Sequence, residues 1–305
     1  MNIINTEQLN QEFSFEEGNR CLRFNVGEGD IPVVDIQNEQ ASATISLQGA
    51  HLLCWAPTDQ DDLIWLSGDA VFSPGKSVRG GIPVCWPWFG AHASNTSYPA
   101  HGFARTVEWQ VVRTEDLSSS ETRITFQLDT AKLSRAIQKM WPQSTLLEYR
   151  LTIGKALTLE LKTSNNSDQV MIIGQALHTY FNVSDVTSTT VYGLDGKDYL
   201  DKPDSFKRKT QVDAITIDNE VDRVYLQTSD DIIIDNQKRK ILINKQGSHT
   251  TVVWNPWKDV AAKMGDLGEK GYLEMLCLES ANAADDTVSI DPGGHHQLRV
   301  IYRVE

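Results

Sequence analysis

The 305-residue chain is poor in several things, and each scarcity removes a class of function. Its four cysteines, Cys21, Cys54, Cys85 and Cys277, stand far apart with no CxxC spacing. Neither a disulfide framework nor a zinc site is indicated, and reduced thiols in a cytoplasmic protein fit better. Basic residues are outnumbered, 28 Lys and Arg against 41 Asp and Glu, for a net charge of −13. That argues against nucleic acid as a partner, because phosphate backbones are bound through Lys/Arg surfaces that release counterions. A small phosphorylated substrate stays compatible, since a few arginines focused in a cleft reverse the potential locally. No apolar run approaches the roughly 20 residues of a membrane span. The acidic opening stretch MNIINTEQLNQEFSFEE has no apolar centre of the kind a secretory leader carries. No membrane partner is expected.

Helical signal is scarce as well. The one good candidate covers residues 133–141, which Pro142 terminates. What the chain has instead is period-two alternation. Ile124, Phe126 and Leu128 alternate with Arg123, Thr125 and Gln127, and Leu157, Leu159 and Leu161 alternate with Thr158, Glu160 and Lys162. Residues 41–48, 147–153 and 298–304 follow the same rule. Each reads as a half-buried strand with one wet face. Turn residues separate them, as in Asp291-Pro292-Gly293-Gly294. Many short antiparallel strands with few helices predict an all-β protein, a large antiparallel sandwich. No repeat, linker or charge block divides residues 1–305, so one domain is expected.

Four segments break the strand pattern. Arg79-Gly80-Gly81-Ile82-Pro83 runs into the aromatic Trp86-Pro87-Trp88-Phe89-Gly90. Paired glycines permit close backbone approach, and Arg79 offers a bidentate fork to an oxyanion. The absence of GK[ST] and the prolines rule out a Walker loop; a solvated arginine on an irregular turn is the plainer alternative. In the second segment, Gly102 lies between His101 and Arg105, a bend that presents both groups in one direction, although lone histidines and arginines are more often structural. The third holds Gly174, Ala176 and His178, which share one face if residues 172–181 form a strand. Two small residues beside a histidine leave room for a ligand, against the commoner case of a satisfied core histidine. The fourth ends the apolar run 275–278 on Glu279. A carboxylate is almost never buried there without a partner, and desolvation would raise its pKa towards that of a useful general base. A strand-end Glu reaching solvent is the alternative. Asp222 beside Arg223 reads as an exposed ion pair on a strand edge, and His295-His296 as part of a turn.

Taken in order, these segments resemble the glucose-6-phosphate 1-epimerase branch of the aldose 1-epimerase family. The matching pieces are Arg79–Pro83 with Trp86–Gly90, His101–Arg105, Leu177–Phe181, Asp222–Tyr225, Trp254–Trp257, Leu278–Asn282 and the turn at Asp291. The galactose branch's Asn-x-x-x-Arg-Ile and Asn-His-x-x-His-Gly-Gly segments are missing. The resemblance implies a β-sandwich of the galactose mutarotase-like type, with no metal and no organic cofactor. It implies that His178 and Glu279 are catalytic, that Arg79 and Arg105 bind phosphate and sugar, and that Asp222 binds substrate. His101 matches the His-Gly bend and is a further substrate-binding candidate.

The activity so implied is interconversion of the α and β anomers of a hexose 6-phosphate, D-glucose 6-phosphate in the first instance. Glu279 would act as base at O1 and protonated His178 as acid at O5, while Trp86, Trp88 or Phe89 would wall the sugar. The substrate is the only partner required, and a monomer suffices. A mutarotase of unphosphorylated aldoses is the close alternative; a non-catalytic sugar-phosphate-binding module would need no acid–base pair, and a glycoside hydrolase would need a second carboxylate.

Overall fold

A computed structural model describes residues 5–305; the first four residues of the stretch inspected for a leader lie outside them. The architecture is the expected antiparallel one. Residues 15–57 form a five-stranded meander, its strands adjacent in chain order. Two larger sheets of nine and eight strands carry most of the remainder. Among the described residues, no helix is long and apolar enough to cross a membrane.

Alternation in the sequence becomes alternation in burial. In Leu157–Asn165 every odd-numbered side chain is buried and every even-numbered one partly exposed, so one face closes on the core while the other meets water. The apolar faces of all three sheets merge into one cluster that runs from Leu22 to Tyr302. Met275–Asn282 is different: all of its residues are buried. It lies inside the eight-stranded sheet, between Thr250–Asn255 and the segments around Gln175–Leu177, with material packed on both faces.

Three expectations need correction. The helix predicted over residues 133–141 occupies Arg135–Met140, with Ser134 accepting the Ile137 amide as its N-cap. A longer helix, Thr6–Phe13, was not anticipated; Asn5 caps it, and Asn10 pins it by exchanging two 2.8 Å bonds with the Phe24 backbone. His295 and His296 open the closing strand His295–Val304 rather than sitting in the preceding turn, because they pair with Ser164 and Thr163 across the sheet.

Glycine acts here on the chain's own packing. Gly80 and Gly81 both have positive φ, and a Cβ at either would meet backbone of residues 65–67 or the Leu52 carbonyl and His51 ring. The close approach expected of this pair is therefore to protein rather than to a ligand. Gly102, at φ +72°, is tighter still: its Cβ would lie 1.9 Å from the Trp86 carbonyl oxygen. A side chain there meets both the left-handed backbone penalty and a steric clash. Gly102→Ala should lose more than about 2 kcal/mol of stability, read as a lower urea midpoint; an unchanged midpoint would show that the His101 bend relaxes freely.

Candidate active site

Strand register brings His178 and Glu279 together. Along Met275–Asn282 the even-numbered Leu276 and Leu278 enter the main core, whereas Met275, Cys277 and Ala281 belong to clusters on the other face. Glu279 shares that second face. The neighbouring chain pairs in one register on both sides of the gap, Leu177 with Ser280 and Tyr180 with Cys277. The same register sets His178 opposite Glu279. The ladder is interrupted at this point: the His178 amide donates to the Pro83 carbonyl, and Thr179 folds back onto Leu177. The single strand expected over residues 172–181 is thus broken where the histidine sits. His178 Nε2 lies 3.3 Å from Glu279 Oε1.

Both groups are buried, Glu279 to 1% exposure and His178 to 8%. They border a cavity of about 1070 Å³ whose lining also includes His101, Arg79, Arg105 and Asp222. Burial opposes charge on each. The Glu279 carboxyl is raised well above the ordinary range, mainly by desolvation and further by Asp222. The His178 imidazole is lowered well below its usual value by desolvation, then by His101 and Arg105. Both pressures favour the uncharged arrangement of the pair, with the shared proton on Glu279 and His178 neutral. Burial and the neighbouring cations thus oppose the positive charge that the acid expected at O5 would carry.

The surrounding groups are arranged around this pair. Tyr180 stacks on His178 with centroids 4.9 Å apart, and its hydroxyl accepts from Arg79 Nη1 at 3.0 Å. Arg79 Nε donates to Asp266 at 3.1 Å, a partner that no local pattern announced. Arg105 gives Nη2 to the Ala100 carbonyl, and its buried Nε has no partner. The His101 ring lies 5.6 Å from that of His178 and 4.9 Å from Phe89. Its pKa is lowered to about 3 by burial and by Arg105, Lys202 and Arg79. Its Nδ1 accepts the Gly90 amide, which leaves Nε2–H as a donor.

Two sequence expectations fail at this site. Asp222 does not pair with Arg223 and is not at an exposed edge. Val221–Leu226 is an interior strand, so adjacent side chains take opposite faces. Arg223 lies over the Tyr199 ring at 4.8 Å, while Asp222 faces the cavity and accepts from Lys202 Nζ at 2.6 Å. Trp86 is not a wall for substrate: it is fully buried and packs edge-on against Phe103 and Trp141. Trp88 and Phe89 do line the cavity. Lys202 and Asp266, both at the cavity, escaped the sequence reading, because each sits in a polar turn with no spacing that links it to its partner. Among the described residues no cluster of His, Cys, Asp and Glu could hold a metal ion.

The chain is similar to known proteins over most of its length. The family Aldose 1-epimerase matches residues 32–303. A protein of Escherichia coli K12, provisionally named glucose-6-phosphate 1-epimerase, is 36% identical over 266 residues, covering 86% of each chain. A crystal structure of a provisionally assigned mutarotase from Salmonella typhimurium superposes with a TM-score of 0.85 at 30% identity, over 98% of both chains. A galactose mutarotase-like protein from Lactobacillus casei shares the fold at a TM-score of 0.69 and 14% identity, over 90% of this chain and 100% of that one.

The raised carboxyl has a consequence for stability. Below the unfolded pKa of Glu279 both states carry the proton and nothing is lost. As pH rises from there to the folded pKa, the unfolded chain releases the proton first, and folding stability falls by up to about 1.4 kcal/mol per pH unit. Gln is uncharged at every pH. Glu279→Gln should therefore gain on the wild type as pH rises from 5 to 9, read as a widening difference in Tm. Parallel Tm curves would mean that Glu279 is ionised in the folded protein.

Proposed function

The chain belongs to the aldose 1-epimerase family, and we propose that it interconverts the α and β anomers of a hexose 6-phosphate, with D-glucose 6-phosphate as first choice. The observation that carries this reading is the His178–Glu279 contact in a cavity bordered by arginines. O1 and O5 of a pyranose are bonded to one carbon, so the groups that serve them must be neighbours, and 3.3 Å makes them so. The relatives' provisional name supplies the phosphate, and Arg79 and Arg105 supply groups that could bind it.

Anomerisation takes the proton from the O1 hydroxyl and delivers one to O5. The C1–O5 bond breaks to give the free aldehyde, rotation about C1–C2 presents the other carbonyl face, and closure reverses both transfers. One proton on the pair is the right inventory, since each transfer only moves it between Glu279 and His178. In this reading Glu279 takes the O1 proton and His178 gives its proton to O5, each contributing about 10²–10⁴-fold. The resting proton sits on Glu279, so it must first pass to His178. Burial is the main pressure against charge on the imidazole, and a bound phosphate dianion assists the step by offsetting the smaller part that Arg105 and Arg79 contribute. Phosphate recognition thus serves the chemistry as well as the pose. Asp222 and the Nε2–H of His101 are placed to bind sugar hydroxyls, with Phe89 and Trp88 as the apolar wall. All of these groups come from one chain, so a monomer suffices, and four free cysteines suit the reducing cytoplasm.

The engagement of Arg79 with Asp266 favours a second reading, a mutarotase of free aldoses, since a neutralised arginine is a weaker phosphate anchor. Substrate comparison separates the two. Glu279→Gln should lower catalysed mutarotation of α-D-glucose 6-phosphate by at least about a hundredfold, while substrate binding stays measurable by calorimetry; full activity would end the assignment. Arg79→Ala and Arg105→Ala should raise KM more for glucose 6-phosphate than for glucose. Equal losses on the two sugars would remove the arginines from phosphate binding.

A further inference from the structure

Three cations converge on one cavity in a chain of net charge −13, and Lys202 is the one with the most freedom. Arg79 is held by Asp266 and Tyr180, and Arg105 is tied to the Ala100 carbonyl. Lys202 has a side chain 55% exposed and makes one side-chain hydrogen bond, to Asp222 Oδ2 at 2.6 Å. An ammonium group has three N–H donors, so two remain. The position of Lys202 is fixed while its head is free: its amide donates to the Asp222 carbonyl, and its strand Asp198–Asp201 pairs with Val221–Leu226.

The turn that carries Lys202 is strained in a way that aims it. Between Asp198–Asp201 and Lys207–Thr210 the chain reverses through Ser205 at φ 55° and Phe206 at φ 59°, two consecutive left-handed residues that are not glycine. Each costs about 1–2 kcal/mol. Ion pairs from Lys207 and Lys209 to Asp204, and from Lys209 to Asp201, clamp the turn across its base. The result is an aromatic ring, Phe206, that is 55% exposed yet lines the cavity beside Lys202. An exposed phenyl ring on strained backbone and an ammonium with spare donors thus line the same cavity.

We infer that Lys202 is a specificity-determining residue that binds the phosphate of the substrate, with Phe206 covering it from the rim. The inference rests on the hexose-6-phosphate reading and adds to it a binding group outside the two arginines. Lys202 keeps one N–H on Asp222 and gives the others to phosphate oxygens. Asp222 Oδ1 stays free for a sugar hydroxyl, so the one ion pair joins the phosphate end of the ligand to its ring.

Lys202→Met keeps the stem and removes the charge. It should raise KM for glucose 6-phosphate by about tenfold to a hundredfold, with kcat changed much less, and the loss should be at least tenfold smaller on free glucose. Lys202→Arg should recover most of the affinity. Inorganic phosphate, used as a competitive inhibitor, gives a second readout: its inhibition constant should rise in Lys202→Met by a similar factor. Equal losses on both sugars, or an unchanged phosphate inhibition constant, would overturn the assignment. A wild-type preference for phosphorylated hexose that survives Lys202→Met would sink Lys202 alone. A wild type that does not distinguish the two sugars would sink the hexose-6-phosphate reading itself.

Discussion

The structure is organised around a carboxyl group that is almost wholly buried yet borders a cavity. Glu279 lies in the middle of a strand buried along its whole length, and an ionised carboxylate there would lose most of its hydration without a matching cation. Burial therefore favours the protonated carboxyl, and the group has an imidazole as neighbour. His178 is under the opposite pressure, because the same burial penalises its cation. Two groups that would each refuse charge can share one proton without either becoming an ion.

Holding such a pair at 3.3 Å requires rigidity on both sides. On the core side, Leu276 and Leu278 anchor the glutamate strand, and Leu177 and Phe181 anchor the broken histidine strand, all in one apolar cluster. Thr179, between the two halves of the break, shares a 2.6 Å hydrogen bond with Tyr302 of the opposing sheet. On the cavity side, Tyr180 fixes the plane of the imidazole by stacking, and Arg79 and Asp266 fix Tyr180. Arg79 therefore has a structural claim on its guanidinium as well as the ligand-binding role its sequence context suggests.

Legibility in the sequence followed the range of the interaction. Alternation is local, so the strands and the all-β architecture could be read from residues such as Leu157, Leu159 and Leu161. Glu279 was legible for a related reason: a carboxylate closing an apolar strand conflicts with its surroundings at the level of the sequence itself. His178 was only partly so, since its small neighbours hinted at space while its contact with Glu279 depends on register between segments about a hundred residues apart. Asp222 was misread because its true partner, Lys202, lies in the turn just beyond the neighbouring strand, whereas Arg223 is its neighbour only along the chain. Trp86 carried no mark to distinguish it from Trp88, although one is core and the other lines the cavity. The Thr6–Phe13 helix did leave a trace, a capping Asn5 with Leu9 and Phe13 four apart, in a stretch examined only for a leader.

Charge placement resolves the tension between an acidic protein and an anionic ligand. Burying Arg79 and Arg105 partly in the wall, with Lys202 at the rim, concentrates positive potential where the dielectric is low and screening weak. The carboxylates that accompany them, Asp222 and Asp266, each pair with one of these cations and offset part of that field, so three cations against these two carboxylates leave one positive charge in excess at the cavity. Elsewhere the acidic surface repels phosphate, which confines attraction to the one opening. The same cations bear on the buried pair: burial sets most of the depression of His178, and Arg105 and Arg79 add to it. A field that attracts an anion to this cavity therefore also opposes positive charge on the imidazole.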